Sequence, residues 1–173
     1  MTVATLGIVI EGGRLLLGEK KKGEIGTGIL SGPGGKLEPN ETLEECLLRE
    51  MREEFCAELD RGSLELVAHI IFHRGRTRFI LLNKLLDHLG LKSSMPDFEV
   101  YVYRARILSY TLVETAEMIP GWYPLDDLPF DRMYEADRHW LPKVLDDERL
   151  CANVLYFGRA RGFNRIELLP LAT

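Results

Sequence analysis

A glycine cluster joined directly to a glutamate-rich segment is the feature that most constrains how this chain folds. Residues 32–57 read GPGGKLEPNETLEECLLREMREEFCA. Glycine and the Pro-Asn pair interrupt regular structure, and the capping box Thr42-x-x-Glu45 then predicts a helix over residues 42–57. Seven glutamates crowd into this short stretch, at Glu38, Glu41, Glu44, Glu45, Glu50, Glu53 and Glu54.

Three of these glutamates fall on one side of the predicted helix. At about 100° per residue, Glu50, Glu53 and Glu54 border an apolar stripe formed by Leu43, Leu47, Leu48, Met51 and Phe55. Carboxylates at this spacing repel one another, and the margin of a core adds a desolvation cost. The other three helix-region glutamates fall on the far side, where we expect a solvated face: Glu41, Glu44 and Glu45.

Two kinds of partner relieve such repulsion. Arg49 is spaced to pair with Glu45 and Glu53, four residues away on either side. The second kind is a divalent cation, and oxygen ligands select Mg²⁺ or Mn²⁺. Spacing alone leaves a solvated, salt-bridged helix as the alternative. The adjacent glycines, which let the backbone approach a ligand closely, and Lys36 favour a metal–phosphate site.

Charge and cysteine content limit the binding partners and the cellular compartment that we expect. The chain of 173 residues has 22 basic and 27 acidic residues and a formal net charge of −5. This argues against a nucleic-acid polymer as partner, which would need a basic surface, but is compatible with a single nucleotide. Three sparse cysteines without a CxxC pair fit a reducing cytoplasm. The N-terminal stretch lacks a charged region before its apolar residues, so we expect neither a signal peptide nor a membrane span.

Short apolar runs alternate with turns along the rest of the chain. VATLGIVI and GRLLLGEK predict a β-hairpin, and SLELVAHIIFHR, FEVYVYRARIL and GWYP predict further strands; RFILLNKLL predicts a strand, with a helix as the alternative. YEADRHWLPKVLDDERL predicts a second helix with Pro142 in its first turn or at a break. NVLYFGRARGFNRIELLPL predicts a closing hairpin. Strands outnumber the interspersed helices, which favours an α+β fold with a mixed sheet, in one domain over residues 1–173.

The glycine–glutamate stretch resembles the Nudix box, G-x5-E-x7-R-E-U-x-E-E-x-G-U, in which U is a bulky aliphatic residue. Cys56 and Ala57 replace the last two motif positions, beyond the carboxylates. Flanking segments are similar to MutT-type enzymes that hydrolyse oxidised purine nucleoside triphosphates, with an insertion around residues 86–97. The conserved letters of the motif fall on Gly35, Glu41, Arg49, Glu50, Met51, Glu53 and Glu54.

The resemblance implies an α/β/α sandwich with a mixed sheet between helices, and a metal-dependent pyrophosphohydrolase that is a monomer or a homodimer. It implies that Mg²⁺, or Mn²⁺, is held by Glu50, Glu53 and Glu54 with the Gly35 carbonyl as a further ligand. Glu53, Glu54 or Glu117 would accept a proton from the attacking water. A nucleotide would be cleaved to a nucleoside monophosphate and pyrophosphate, in contact with Thr5, Ser31, Lys36, Tyr134, Asp137 and Trp140.

Two positions depart from the oxidised-purine enzymes where those enzymes bind the base. Ser31 stands in place of their Asn, and Ala136 in place of their second Asp. Lost hydrogen bonds loosen or redirect selectivity, so preference for an oxidised purine such as 8-oxo-dGTP stays open. The alternatives are the same chemistry on a nucleotide sugar or a dinucleotide, and a non-catalytic nucleotide-binding module of the same fold.

Overall fold

The computed structural model describes residues 2–21, 27–75, 97–157 and 163–171. Two α-helices are described, α1 over Leu43–Phe55 and α2 over Asp137–Leu145, and short 3₁₀ turns cover Arg61–Ser63 and Phe130–Arg132. The strands are β1 Thr2–Glu11, β2 Arg14–Lys20, β3 Leu30–Ser31, β4 Ala57–Leu59, β5 Glu65–Gly75, β6 Phe98–Ala105, β7 Ile107–Tyr110, β8 Met118–Pro124, β9 Leu150–Phe157 and β10 Phe163–Pro170.

The larger sheet is mixed, as the sequence predicts. Its strand order is β10-β9-β5-β6-β1-β2-β3, with β8 also paired to β2, and β4 and β7 form a separate two-stranded sheet. Strand β1 runs parallel to β6, and β5 runs parallel to β9. The remaining pairs are antiparallel, so the α+β class is confirmed.

The predicted N-terminal hairpin closes through Gly12 and Gly13, whose φ angles are 55° and 72°. Positive φ at both central residues is the geometry of the two-residue turn that matches strand twist, and glycine adopts it without steric cost. Strands β1 and β2 then pair only next to this turn, at Ile10 with Leu15 and at Glu11 with Arg14. The rest of this edge of β1 is therefore left for another segment.

Residues 33–37 pair with this edge of β1. The backbone hydrogen bonds between this segment and β1 measure 2.7–3.0 Å and run from Gly7 N–H to the Pro33 carbonyl, from Thr5 N–H to the Gly35 carbonyl and from Leu37 N–H to the Val3 carbonyl. Because backbone pairing holds it, the glycine segment has a fixed position on the sheet although it is not a regular strand.

Each face of the sheet carries one helix and one hydrophobic core. On one face, Leu47, Met51 and Phe55 of α1 pack in a cluster with Val9 and Leu16. On the other face, α2 packs against the second cluster, which it enters through Trp140, Leu141 and Val144. Burying one such side chain contributes about 1.5–3 kcal/mol. This layering confirms the predicted α/β/α sandwich.

Helix α1 has the predicted capping box at its start and a left-handed cap at its end. Thr42 accepts a hydrogen bond from the Glu45 N–H, and the Glu45 carboxylate accepts one from the Thr42 N–H, which completes the capping box. Cys56 takes the left-handed conformation with φ 50°, and its N–H bonds to the carbonyls of Arg52 and Met51. A left-handed non-glycine residue costs about 1 kcal/mol, so Cys56 keeps the role of the expected glycine at some loss of stability.

Two local predictions were wrong. The strand predicted over residues 98–108 is broken at Arg106, whose carbonyl accepts from Asp60 N–H and whose N–H donates to Ser63 Oγ. These contacts pull the backbone out of the sheet, so β6 ends at Ala105 and β7 pairs with β4 instead. Pro142 is the sixth residue of α2, past the first turn, and the helix continues to Leu145.

Some predictions fall outside the described residues. These are the strand predicted for RFILLNKLL, the insertion up to residue 96 and the turn of the closing hairpin; β9 and β10, which that turn joins, are antiparallel as predicted. Within the described ranges, no helix has the length and apolar character needed to cross a membrane.

Candidate active site

A cavity of about 890 Å³ lies where the glycine segment and both helices meet the sheet. It lies within the size range of small-molecule sites. The predicted site residues that line it are Thr5, Ser31, Gly35, Lys36, Glu50, Glu54, Glu117, Tyr134, Asp137 and Trp140. We call Glu50, Glu54 and Glu117 the carboxylate cluster, and Tyr134, Asp137 and Trp140 the aromatic end.

Glu54 is the most deeply placed member of the carboxylate cluster. It is 3% exposed, and its Oε2 accepts a hydrogen bond of 3.1 Å from the Gly34 N–H. Burial raises the pKa of Glu54 to about 8, and the charges of Glu50 and Glu117 act in the same direction. Among the described residues Glu54 has no salt bridge to Lys or Arg, so this buried carboxylate is compensated by one backbone donor.

Glu50 lies directly against the glycine segment. A Cβ atom added at Gly35 would lie 2.0 Å from Glu50 Oε1, so a larger side chain there would displace the Glu50 carboxylate from its position. Burial raises the pKa of Glu50, partly offset by its salt bridge of 2.9 Å to Arg49. The glycine at this position therefore sets how closely the loop backbone and the carboxylate approach.

Arg49 holds a different set of partners from the predicted pair. It binds Glu53 at 3.2 Å as predicted, but its other partners are Glu50 and Glu41, both at 2.9 Å. The predicted pairing with Glu45 was wrong, because that carboxylate is committed to the capping box. Glu41, predicted to face water, has only 12% of its side chain exposed beside Arg49. The Arg49 side chain thus links the start of the helix to the carboxylate cluster.

Glu53 differs from the other predicted metal ligands. Its side chain is 60% exposed and does not line the cavity. Among the described residues, no three acidic, His or Cys side chains converge into a ready-made metal site. The carboxylates of Glu50, Glu53 and Glu54 lie in one region but do not converge on one point. Like charges repel one another, and Arg49 forms salt bridges with both Glu50 and Glu53.

The predicted pocket residue Thr5 directs its hydroxyl away from the aromatic end. Thr5 Oγ1 donates to Cys46 Sγ at 3.3 Å, although the residue itself lines the cavity. Burial raises the pKa of the Cys46 thiol, which keeps it protonated.

The aromatic end is organised around Asp137. Trp140 Nε1–H donates to Asp137 Oδ1 at 3.0 Å, and Asp137 N–H bonds to the Tyr134 carbonyl at 2.9 Å. Burial raises the pKa of Asp137 to about 7, and burial also raises that of Tyr134. Near neutral pH, Asp137 therefore exists in both the donating and the accepting form.

Lys20 is a cavity residue that sequence reasoning missed. It lines the cavity with no salt bridge among the described residues, and its charge lowers the pKa of Glu54 against the effect of burial. Lys21 instead pairs with Glu114 at 2.5 Å. Strand alternation could have separated the two, since neighbouring residues of a strand face opposite sides.

Two other missed residues extend the aromatic end. Tyr156 and Phe72 line the cavity and stack with ring centroids 5.9 Å apart. They lie on β9 and β5, far apart in the chain, and the apolar alternation of these strands gave no indication that they border a cavity.

Comparisons with known proteins agree with this architecture. A family model described as the NUDIX domain matches residues 1–144. An oxidized purine nucleoside triphosphate hydrolase from Mus musculus is 33% identical over 149 residues, which are 86% of this chain and 83% of that protein. A protein with the same description from Danio rerio is 34% identical over 154 residues, 89% of this chain and 86% of that protein. The crystal structure of a MutT protein from Bacillus halodurans superposes with a TM-score of 0.76 at 19% identity, covering 97% of both chains.

Proposed function

This chain belongs to the Nudix family of hydrolases, and from that premise we propose that it cleaves a purine nucleoside triphosphate to a nucleoside monophosphate and pyrophosphate. The proposed substrates are oxidised purine nucleotides, the class named in the descriptions of the relatives from Mus musculus and Danio rerio.

One observation carries the proposal: a single cavity contains both the carboxylate cluster and the aromatic end. Carboxylates beside lysines that form no salt bridge in the described part of the chain suit a polyphosphate held through a cation. Flat aromatic walls with one buried carboxyl suit a heteroaromatic base. A nucleoside triphosphate has both chemistries in one molecule, and this supports it as the substrate.

The donor set fits a hard divalent cation. Glu50, Glu54 and Glu117 offer oxygen ligands, which Mg²⁺ and Mn²⁺ prefer, and Glu54 is a buried carboxylate without a salt bridge in the described part of the chain. When bound, such a cation neutralises phosphate charge and acidifies a water molecule. Glu53 would complete the set from the exposed side of α1 once Arg49 releases it.

The chain's own residues supply the remaining steps. The Gly34 N–H holds Glu54 Oε2, and a nearby cation would favour the ionised form of Glu54 against the effect of burial, which leaves Oε1 to take the proton of the attacking water. Lys20 and Lys36 line the same cavity and would stabilise phosphate oxygens as charge develops on the pyrophosphate leaving group. Burial of Glu54 excludes bulk water from the acceptor atom.

Base recognition would rest on Asp137, with Ser31 as a smaller polar contact. Trp140 fixes Asp137 Oδ1, so Oδ2 would face the edge of the base. Because the pKa of Asp137 is raised to about 7, its carboxyl would donate a hydrogen bond to the base at lower pH and accept one at higher pH. Tyr134 and Trp140 would contact the base through their rings.

Product identification tests the proposal. The protein is incubated with Mg²⁺ and, separately, with guanosine, 8-oxo-guanosine and adenosine triphosphates, a nucleotide sugar and a dinucleotide, and the products are separated by chromatography. We expect a monophosphate and pyrophosphate from the triphosphates, fastest with the oxidised one. Turnover of only the sugar nucleotide or dinucleotide contradicts the substrate class, and tight binding without turnover contradicts the enzyme.

A further inference from the structure

Cys46, on the inner side of α1, contacts three parts of the candidate site at once. Its Sγ accepts a hydrogen bond from Thr5 Oγ1 at 3.3 Å and donates one to the Gly35 carbonyl at 3.5 Å. Arg49 Nη2 lies 3.6 Å from the same sulfur. The residue is fully buried, so these contacts do not compete with water. Strand β1, the glycine segment and helix α1 therefore meet at one thiol.

The peptide that this thiol touches has little freedom to move. The Gly35 carbonyl also accepts the Thr5 N–H at 2.9 Å, so two donors fix its oxygen. On its other side, Gly35 lies against Glu50, where even a Cβ would be 2.0 Å from Oε1. A shift of this peptide by a few tenths of an ångström changes the space available to the Glu50 carboxylate.

We propose that Cys46 is a positioning residue for the hydrolysis, whose S–H group fixes the Gly35 peptide relative to Glu50 and thereby the cation site between loop and helix. This proposal rests on the proposed function, because Gly35 matters to it through its contact with Glu50, which would be a cation ligand. The chain could fill the same volume with an apolar side chain, so hydrogen bonding and packing are separable by substitution.

Three variants at position 46 separate the two roles. Cys46→Val keeps an apolar side chain of similar volume without a donor, Cys46→Ser keeps a donor in a smaller side chain, and Cys46→Ala removes both. Cys151→Val, at a cysteine on β9 that does not line the cavity, is the control for replacing a thiol. Mn²⁺ affinity is measured by electron paramagnetic resonance of the free ion without nucleotide, and unfolding midpoints are recorded in parallel.

We expect Cys46→Val to unfold slightly earlier than wild type, because the buried Thr5 hydroxyl loses its acceptor, and to bind Mn²⁺ about fivefold more weakly, the loss of one modest hydrogen bond. Cys46→Ser should bind Mn²⁺ within about twofold of wild type, although it unfolds earlier because it packs less well. Cys46→Ala should both bind Mn²⁺ more weakly and unfold earlier than wild type. Cys151→Val should keep the wild-type Mn²⁺ affinity and unfolding midpoint.

The outcomes separate this inference from the function on which it rests. Wild-type Mn²⁺ affinity in Cys46→Val, or equal weakening in the Val and Ser variants, overturns the role of the S–H group. A wild-type protein that binds Mn²⁺ with the expected variant pattern but hydrolyses no nucleotide overturns the proposed reaction and supports the positioning role. A wild-type protein that binds no Mn²⁺ overturns both.

Discussion

The two ends of the cavity are built in different ways. Two members of the carboxylate cluster, Glu50 and Glu54, lie on a short stretch of chain, residues 34–54, where a backbone hydrogen bond, a close glycine contact and an Arg49 salt bridge hold them. The aromatic end gathers residues from β5, β9, α2 and the loop before α2, and a side-chain hydrogen bond from Trp140 orients the carboxyl group of Asp137. The comparison indicates that the carboxylate cluster tolerates less change than the aromatic end. Each prediction below tests this difference between the two ends of the cavity.

Replacing Glu54 by Gln gives the largest expected effect. Loss of the proton acceptor should lower kcat about 10³-fold, the middle of the range for general-base catalysis. KM should change little, and the fold should persist because Gln still accepts the Gly34 hydrogen bond. Steady-state kinetics and circular dichroism check this, with Glu44→Gln on the same helix as the control. Wild-type turnover in a folded Glu54→Gln protein would remove Glu54 from the mechanism.

Gly35→Ala should have the second-largest effect on turnover. The new methyl group cannot coexist with Glu50 Oε1 at 2.0 Å, so the loop or the carboxylate must move. Displacement of about 1 Å at a catalytic group costs about 10²-fold in rate. The control is Gly62→Ala, where the nearest atom is 3.4 Å away. Equal activity of the two variants would show that the close contact is irrelevant to turnover.

Lys20→Met should raise KM about tenfold with a smaller change in kcat, because it removes a charged contact to the substrate. Lys21→Met is a matched control, since that neighbour pairs with Glu114 outside the cavity. KM values for the triphosphate at low and moderate salt check the prediction. The same KM increase in both variants would mean that general basic charge, and not Lys20, attracts the substrate.

Asp137→Asn should change turnover least and alter the pH dependence of stability. In the folded state the pKa of Asp137 is raised from 3.8 to about 7, so the folded protein binds more protons than the unfolded chain between these values. Its contribution to stability therefore falls as pH rises through this window, by at most about 1.4 kcal/mol per pH unit. Urea unfolding at pH 5, 6 and 7 should show a steeper slope in wild type than in Asp137→Asn, where the raised pKa of Glu54 still contributes. A constant difference between the two proteins across this range would contradict the raised pKa.

Local patterns in the sequence predicted much of the acidic half of the site. The capping box fixed where α1 begins, and helical periodicity placed Glu50 and Glu54 at the core margin, as the structure has them. The same reasoning put Glu41 in solvent, because periodicity does not reveal that Arg49 reaches back eight residues to bind it.

The errors have a common physical origin in contacts between distant segments. The break at Arg106 depends on Asp60 and Ser63, more than forty residues earlier. Phe72 and Tyr156 meet only because β5 and β9 are neighbours in the sheet. A single sequence contains no periodicity that encodes such pairings, so these features could not be predicted from it.

Strand β1 passes between the two halves of the molecule. Ala4 belongs to the core under α2, and the next residue, Thr5, bonds to Cys46 on α1. Successive residues of this strand, about 3.3 Å apart, therefore contact the two helix-bearing sides of the sheet in turn. Eight residue pairs with β6 fix the register of β1. Because β1 contributes residues to the cavity and contacts both sides of the sheet, it fixes the distance between the two ends of the cavity, and with it the length of a molecule that could contact both.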